Sequence, residues 1–113
     1  MSTISTHVLD TATGRPAEGL TLALESQRTG EWVRLGGGTT NADGRVTSLL
    51  DGDNGLETGV YRMTFYTGAW FAARDTKAFY PIVRIVFEIQ ATDEHYHVPL
   101  LLSPFGYSTY RGS

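Results

Sequence analysis

What most constrains this chain is a period of two. From residue 82 to residue 89, Val83, Ile85, Phe87 and Ile89 fall on one side of an extended backbone, and Arg84 and Glu88 fall on the other. That is the pattern of a strand with one face on a core and one in water. The same alternation recurs in residues 60–66, where Tyr61, Met63 and Phe65 oppose Arg62 and Thr64. It recurs again in residues 20–25, where Leu20, Leu22 and Leu24 oppose Thr21 and Ala23. Further strands are expected over residues 5–9, 31–35, 46–49, 96–102 and 107–111. The separators are turn formers: Thr13-Gly14, Thr29-Gly30, Asn41-Ala42-Asp43-Gly44, residues 51–55 and Thr67-Gly68. Gly36-Gly37-Gly38 marks a flexible or bulged strand end. One short helix is predicted over residues 70–77, ended by Pro81, whose ring removes a donor and restricts its predecessor. These signals specify an all-β fold of about eight strands in two antiparallel sheets packed as a sandwich.

At 113 residues, with 41% hydrophobic and 19% charged residues, the chain suits a single domain spanning 1–113 that closes one core without staples. The absence of cysteine removes disulfide frameworks, thiolate metal sites and thiol chemistry together. Nine basic against twelve acidic residues leave a net charge of -3, without the basic footprint a nucleic-acid partner requires. No apolar run approaches the ~20 residues of a membrane span, and the first residues lack the basic and apolar regions of a secretory signal. The expectation is no membrane partner and a cytoplasmic location.

Chemistry is concentrated in three histidines, His7, His95 and His97. Residues two apart on a strand share a face, so His95 and His97 project together while Tyr96, Val98 and Leu100 turn to the core. Solvent-facing histidines with no task are one reading. A zinc pair completed by His7 is another, although no acidic or sulfur ligand stands ready to complete the set. Arg45, after the Asp43-Gly44 turn, taken alone reads as a solubilising surface charge. Residues 105–113 keep aromatics and an arginine to the last position, where chain ends usually fray into polar tails. Such an end is expected to dock, either as part of a site or as a final strand whose aromatics pack.

Three segments together carry a family resemblance: Ser5-Thr6-His7-Val8-Leu9-Asp10, Thr40-Asn41-Ala42-Asp43-Gly44-Arg45, and the run from His95-Tyr96-His97 through Ser103-Pro104 to Tyr110-Arg111-Gly112-Ser113. In these, and in residues 10–17 and 79–81, the chain closely resembles the transthyretin-related 5-hydroxyisourate hydrolases of purine catabolism over essentially its whole length. Tyr80 stands where a second Phe is common in that family.

The resemblance implies a transthyretin-like sandwich of two four-stranded antiparallel sheets with one short helix. It also implies a homotetramer with sites in the channel between dimers. The implied activity is hydrolysis of the cyclic amide C–N bond of 5-hydroxyisourate, giving 2-oxo-4-hydroxy-4-carboxy-5-ureidoimidazoline in urate degradation, with no cofactor and no metal. Carried over by motif, the catalytic residues are His7, Arg45, His97 and Ser113. His7, Arg45, Tyr110 and Arg111 bind substrate, and His95 stands beside them without an assigned role.

These residue types suit that reaction. A neutral imidazole can take a proton from water as it attacks a carbonyl. A nearby guanidinium disfavours imidazolium and can stabilise the developing oxyanion. Two other classes compete. A carrier like transthyretin would hold small aromatic ligands in the same channel but has no need of the histidines and Arg45. An immunoglobulin-like interaction sandwich would be expected to show paired cysteines or an exposed apolar patch.

Overall fold

The computed structural model describes residues 3–46, 48–50 and 56–112. Among these described residues nine strands and one helix follow in the order β1 (Thr3–Asp10), β2 (Arg15–Pro16), β3 (Thr21–Arg28), β4 (Glu31–Thr39), β5 (Arg45–Val46), β6 (Gly59–Phe65), α1 (Thr67–Ala72), β7 (Val83–Ile89), β8 (His95–Ser103) and β9 (Gly106–Thr109). One sheet runs β2-β1-β8-β9, with β5 also paired to β1; the other runs β4-β3-β6-β7. The two sheets close on each other through side chains selected by alternation. Val8, Leu100 and Leu102 come from the first, and Leu22, Leu24, Met63, Phe65, Val83 and Ile89 from the second, all buried. This is the two-sheet sandwich expected from the period of two.

Several details depart from expectation. The sheets are not antiparallel throughout, because β1 and β8 run parallel in an unbroken register from Thr3 opposite His95 to Asp10 opposite Leu102. Most of the chain separates these strands, so no tight turn dictates their sense. β2 was not foreseen, and the strand expected over 46–49 is the two-residue β5; Thr47, like the turn at 51–55, lies outside the described residues. β4 extends through the three glycines instead of stopping at Leu35, with a bulge where Leu24 and Glu25 face Gly36 and Arg34.

The helix begins and ends earlier than residues 70–77. Thr67-Gly68 opens it rather than forming a turn, and Pro81 is not what stops it. Asp75 takes a left-handed conformation (φ 54°), its amide donates to the Ala72 carbonyl and the Thr76 amide to the Phe71 carbonyl. That pair of hydrogen bonds closes the last turn and ends the helix.

Candidate functional site

The outward face of the first sheet gathers the histidines, and strand register alone explains how. On β1 the odd positions Thr3, Ser5 and His7 point away from the core while Ile4, Thr6 and Val8 are buried. On β8, His95 and His97 point outward while Tyr96, Val98 and Leu100 are buried. Parallel pairing sets Thr3 opposite His95, Ser5 opposite His97 and His7 opposite Pro99. Side chains directly opposite share a face, so the two histidine-bearing segments merge into one polar patch. The Tyr96 hydroxyl pins the start of β8 by donating to the Ala91 carbonyl (2.9 Å) and accepting from the Ala91 amide (3.0 Å).

Arg45 reaches the patch from the other edge of β1. It lies on β5 directly opposite His7, and its position is built by the loop before it. The Asn41 side-chain oxygen accepts from the amides of Asp43 (2.9 Å) and Arg45 (3.1 Å), and the Asn41 amide donates to the Arg45 carbonyl (2.9 Å). Asn side chains that bond their own downstream backbone stabilise such turns. Gly44 completes the turn at φ 75°, with its carbonyl accepting from the Val8 amide at 2.8 Å. A Cβ at that position would lie 2.4 Å from the Val8 carbonyl oxygen, so only glycine lets β5 approach β1. Among the described residues the Arg45 guanidinium has no carboxylate partner.

The terminal segment borders the patch along the edge of β8 away from β1. β9 pairs with β8 from Leu102 opposite Tyr107 to Leu100 opposite Thr109, and a bridge of His97 to Gly112 continues the same register. The Gly112 amide donates to the His97 carbonyl at 2.9 Å. Alternation then puts Ser108, Tyr110 and Gly112 on the histidine face, and Tyr110 is exposed there. Arg111 falls on the other face, contrary to its expected place in the site. Its guanidinium lies 4.6 Å from the centre of the Tyr96 ring and 3.3 Å from Glu94. Ser113 lies outside the described residues.

Within the patch, the Ser5 hydroxyl stands 2.8 Å from His97 Nδ1 and 3.0 Å from His95 Nε2. The His97 ring is only part exposed, and burial holds its pKa below the ordinary histidine value. The neighbouring Arg45, His95 and His7 push in the same direction, and a hydrogen bond with the Ser5 main chain opposes them. His97 is thus favoured as neutral imidazole with a guanidinium in range, an arrangement suited to taking a proton from water beside a developing negative charge. Among the described residues no three His, Asp or Glu side chains stand close enough together to hold a metal ion.

Sequence reading assigned Ser5 no role of its own, and it marked Asn41 only as a turn former and Gly112 only as part of the terminal motif. Ser5 lies two positions before His7 on the same strand face, a signal available from alternation. Its meeting with both β8 histidines depends on a pairing that local sequence does not encode.

A family model described as Transthyretin: HIUase/Transthyretin family matches residues 4–112. The chain is 44% identical over 110 residues to a 5-hydroxyisourate hydrolase of Salmonella dublin, covering 97% of this chain and 80% of that protein. Among solved structures, the 5-hydroxyisourate hydrolase of Klebsiella pneumoniae aligns with a TM-score of 0.83 at 41% identity, covering 98% of this chain and 99% of its own. Sea bream transthyretin in complex with thyroxine aligns with a TM-score of 0.90 at 30% identity, covering 96% and 93%.

Proposed function

Because the chain belongs to the HIUase/Transthyretin family, we propose that it is a hydrolase that opens the ring of 5-hydroxyisourate in urate degradation, a reading supported by relatives named 5-hydroxyisourate hydrolase. The fold alone does not choose between this and a carrier, since the transthyretin superposes at least as well as the hydrolase. The side chains choose. A sheet face carrying His7, His95, His97 and Arg45, with no carboxylate paired to Arg45 among the described residues, serves no purpose in holding an apolar ligand, and it supplies a base and an oxyanion donor to a hydrolase.

His97 acts as the base. Its Nε2, which has no protein partner among the described residues, takes a proton from water, and the hydroxide oxygen bonds to the ring carbonyl carbon. The carbonyl electron pair moves onto oxygen, where Arg45 and a ring N–H of His7 donate to the oxyanion. When the oxyanion collapses, the ring C–N bond breaks. The leaving nitrogen takes the proton held on His97 Nε2, so the imidazole returns neutral. Tyr110, on the same face, orients the planar ring through its hydroxyl. The product is 2-oxo-4-hydroxy-4-carboxy-5-ureidoimidazoline.

The functional species is a homotetramer in the cytoplasm. Two observations support assembly: β7 and β9 each pair on one side only among the described residues, and Phe79 and Phe105 are more than two-thirds exposed (69% and 67%).

Generating 5-hydroxyisourate in place with urate oxidase and following its ultraviolet absorbance tests the function. Its decay is expected to accelerate in proportion to added protein, with chelator present. Decay at the spontaneous rate at every protein concentration rules the activity out.

A further inference from the structure

Two polar side chains with no part in the proposed ring opening join the β8 histidines into a continuous hydrogen-bonded chain. Ser5 Oγ bonds both His97 Nδ1 (2.8 Å) and His95 Nε2 (3.0 Å), and Thr3 Oγ1 bonds His95 Nδ1. The two rings stack with centroids 6.4 Å apart and planes 15° from parallel. Packing does not demand this arrangement, since Thr3 and His95 are exposed and Ser5 is only half buried.

A neutral imidazole has one donor and one acceptor nitrogen, and a hydroxyl has one proton to give. Two head-to-tail patterns therefore run through the whole chain; a third, in which both rings donate to the Ser5 oxygen and Ser5 gives its own proton elsewhere, leaves His97 Nε2 as open as the first does. In the first, His97 Nδ1–H donates to Ser5, Ser5 donates to His95 Nε2, and His95 Nδ1–H donates to Thr3. That leaves His97 Nε2 as an open acceptor. In the second every donor is reversed, the proton sits on His97 Nε2, and the ring cannot take another from water while neutral. Which nitrogen of a histidine is free is set by the bond its other nitrogen makes.

The ring is also confined from the opposite edge. A Cβ built on Gly112 would lie 2.5 Å from His97 Cδ2 and 3.2 Å from its Cγ, so the terminal backbone stands close beside the imidazole and leaves it little room to swing away from Ser5.

We propose that Ser5 and His95 are positioning residues for His97, holding its imidazole in the tautomer that leaves Nε2 free to accept a proton. This rests on His97 being the base. Ser5 fixes the ring directly. His95 acts one bond further out, as the acceptor that orients the Ser5 hydroxyl and so decides the direction of the chain.

Nitrogen-15 NMR of histidine-labelled protein, at a pH where His97 is neutral, reads the tautomer without reference to turnover. The wild type is expected to carry the His97 proton on Nδ1. Ser5→Ala is expected to lose that preference, and Ser5→Thr, which keeps the hydroxyl, to retain it. In parallel kinetics, Ser5→Ala is expected to lower kcat about tenfold to a hundredfold with KM nearly unchanged. Ser5→Thr restores kcat, and His95→Phe shifts kcat in the same direction as Ser5→Ala. A wild type with the proton on Nε2 overturns the proposal, a result that needs no variant to fold. So does a folded Ser5→Ala whose His97 tautomer and kcat match wild type. The expected tautomer in a protein that turns over no 5-hydroxyisourate would sink the hydrolase reading and leave the positioning role of Ser5 standing.

Discussion

His7, Arg45 and His97 sit on a face that gives them little share in the core, and this separates their chemistry from stability. Thr6 and Val8 flank His7 as buried residues, and Tyr96 and Val98 flank His97. Replacing His7, Arg45 or His97 with Ala is therefore expected to lower turnover by about 10²-fold or more, the scale for removing a positioned base or an oxyanion donor. Melting temperatures should move far less than for Phe65→Ala. That change empties a fully buried position and should cost about 3–5 kcal/mol. Phe87, by contrast, is only half buried at the sheet edge and is a weaker reference than its alternation suggests. Calorimetry and steady-state kinetics on the same preparations separate the two effects. A His97→Ala protein that unfolds, yet keeps wild-type activity per folded molecule, would make the histidine structural. The shared face of His95 and His97 was legible from spacing alone. The opposite faces of Tyr110 and Arg111 follow from the same rule once β9 is known to continue toward Gly112, and motif resemblance passes over that distinction.

The element that delivers Arg45 is only two residues long, and its placement depends on Gly44 and Asn41. Gly44→Ala adds a left-handed strain to a clash with the Val8 carbonyl oxygen. It is expected to destabilise the fold by about 2–4 kcal/mol, and to cut activity in the fraction that stays folded because β5 must move off β1. Denaturant unfolding together with turnover per folded molecule measures both; unchanged stability would show that the loop tolerates a side chain there. Such short elements explain most of what sequence reading missed. Residues 83–89 hold enough alternation to declare a strand and its faces, whereas Arg45–Val46 and Arg15–Pro16 hold none. The helix fails for a related reason: it spans six residues, and its end is set by the left-handed Asp75 rather than by the visible Pro81.

At the scale of the molecule, the site depends on a pairing between the first strand and the next to last, a long-range contact that no local pattern encodes. Alternation fixed which residues of β1 and β8 face outward but was silent on whether the two strands meet or in which sense. Parallel register is what brings Ser5 to His97, while β5 brings Arg45 to His7. If the proposed tetramer is the working form, light scattering should show a species near four times 12.4 kDa at concentrations where activity is full, and full activity in a monomer would contradict it. The base proposed for ring opening is a neutral His97, its pKa held low by burial and by Arg45, His95 and His7. The most direct test of that role is the pH dependence of kcat/KM, which reports the essential groups of the free enzyme. The rate is expected to hold as pH falls through about 6.5, the ordinary histidine value, and to drop only at lower pH, with that limb absent from the residual activity of His97→Ala. An acid limb at or above the ordinary value, or the same limb surviving in His97→Ala, would contradict the assignment.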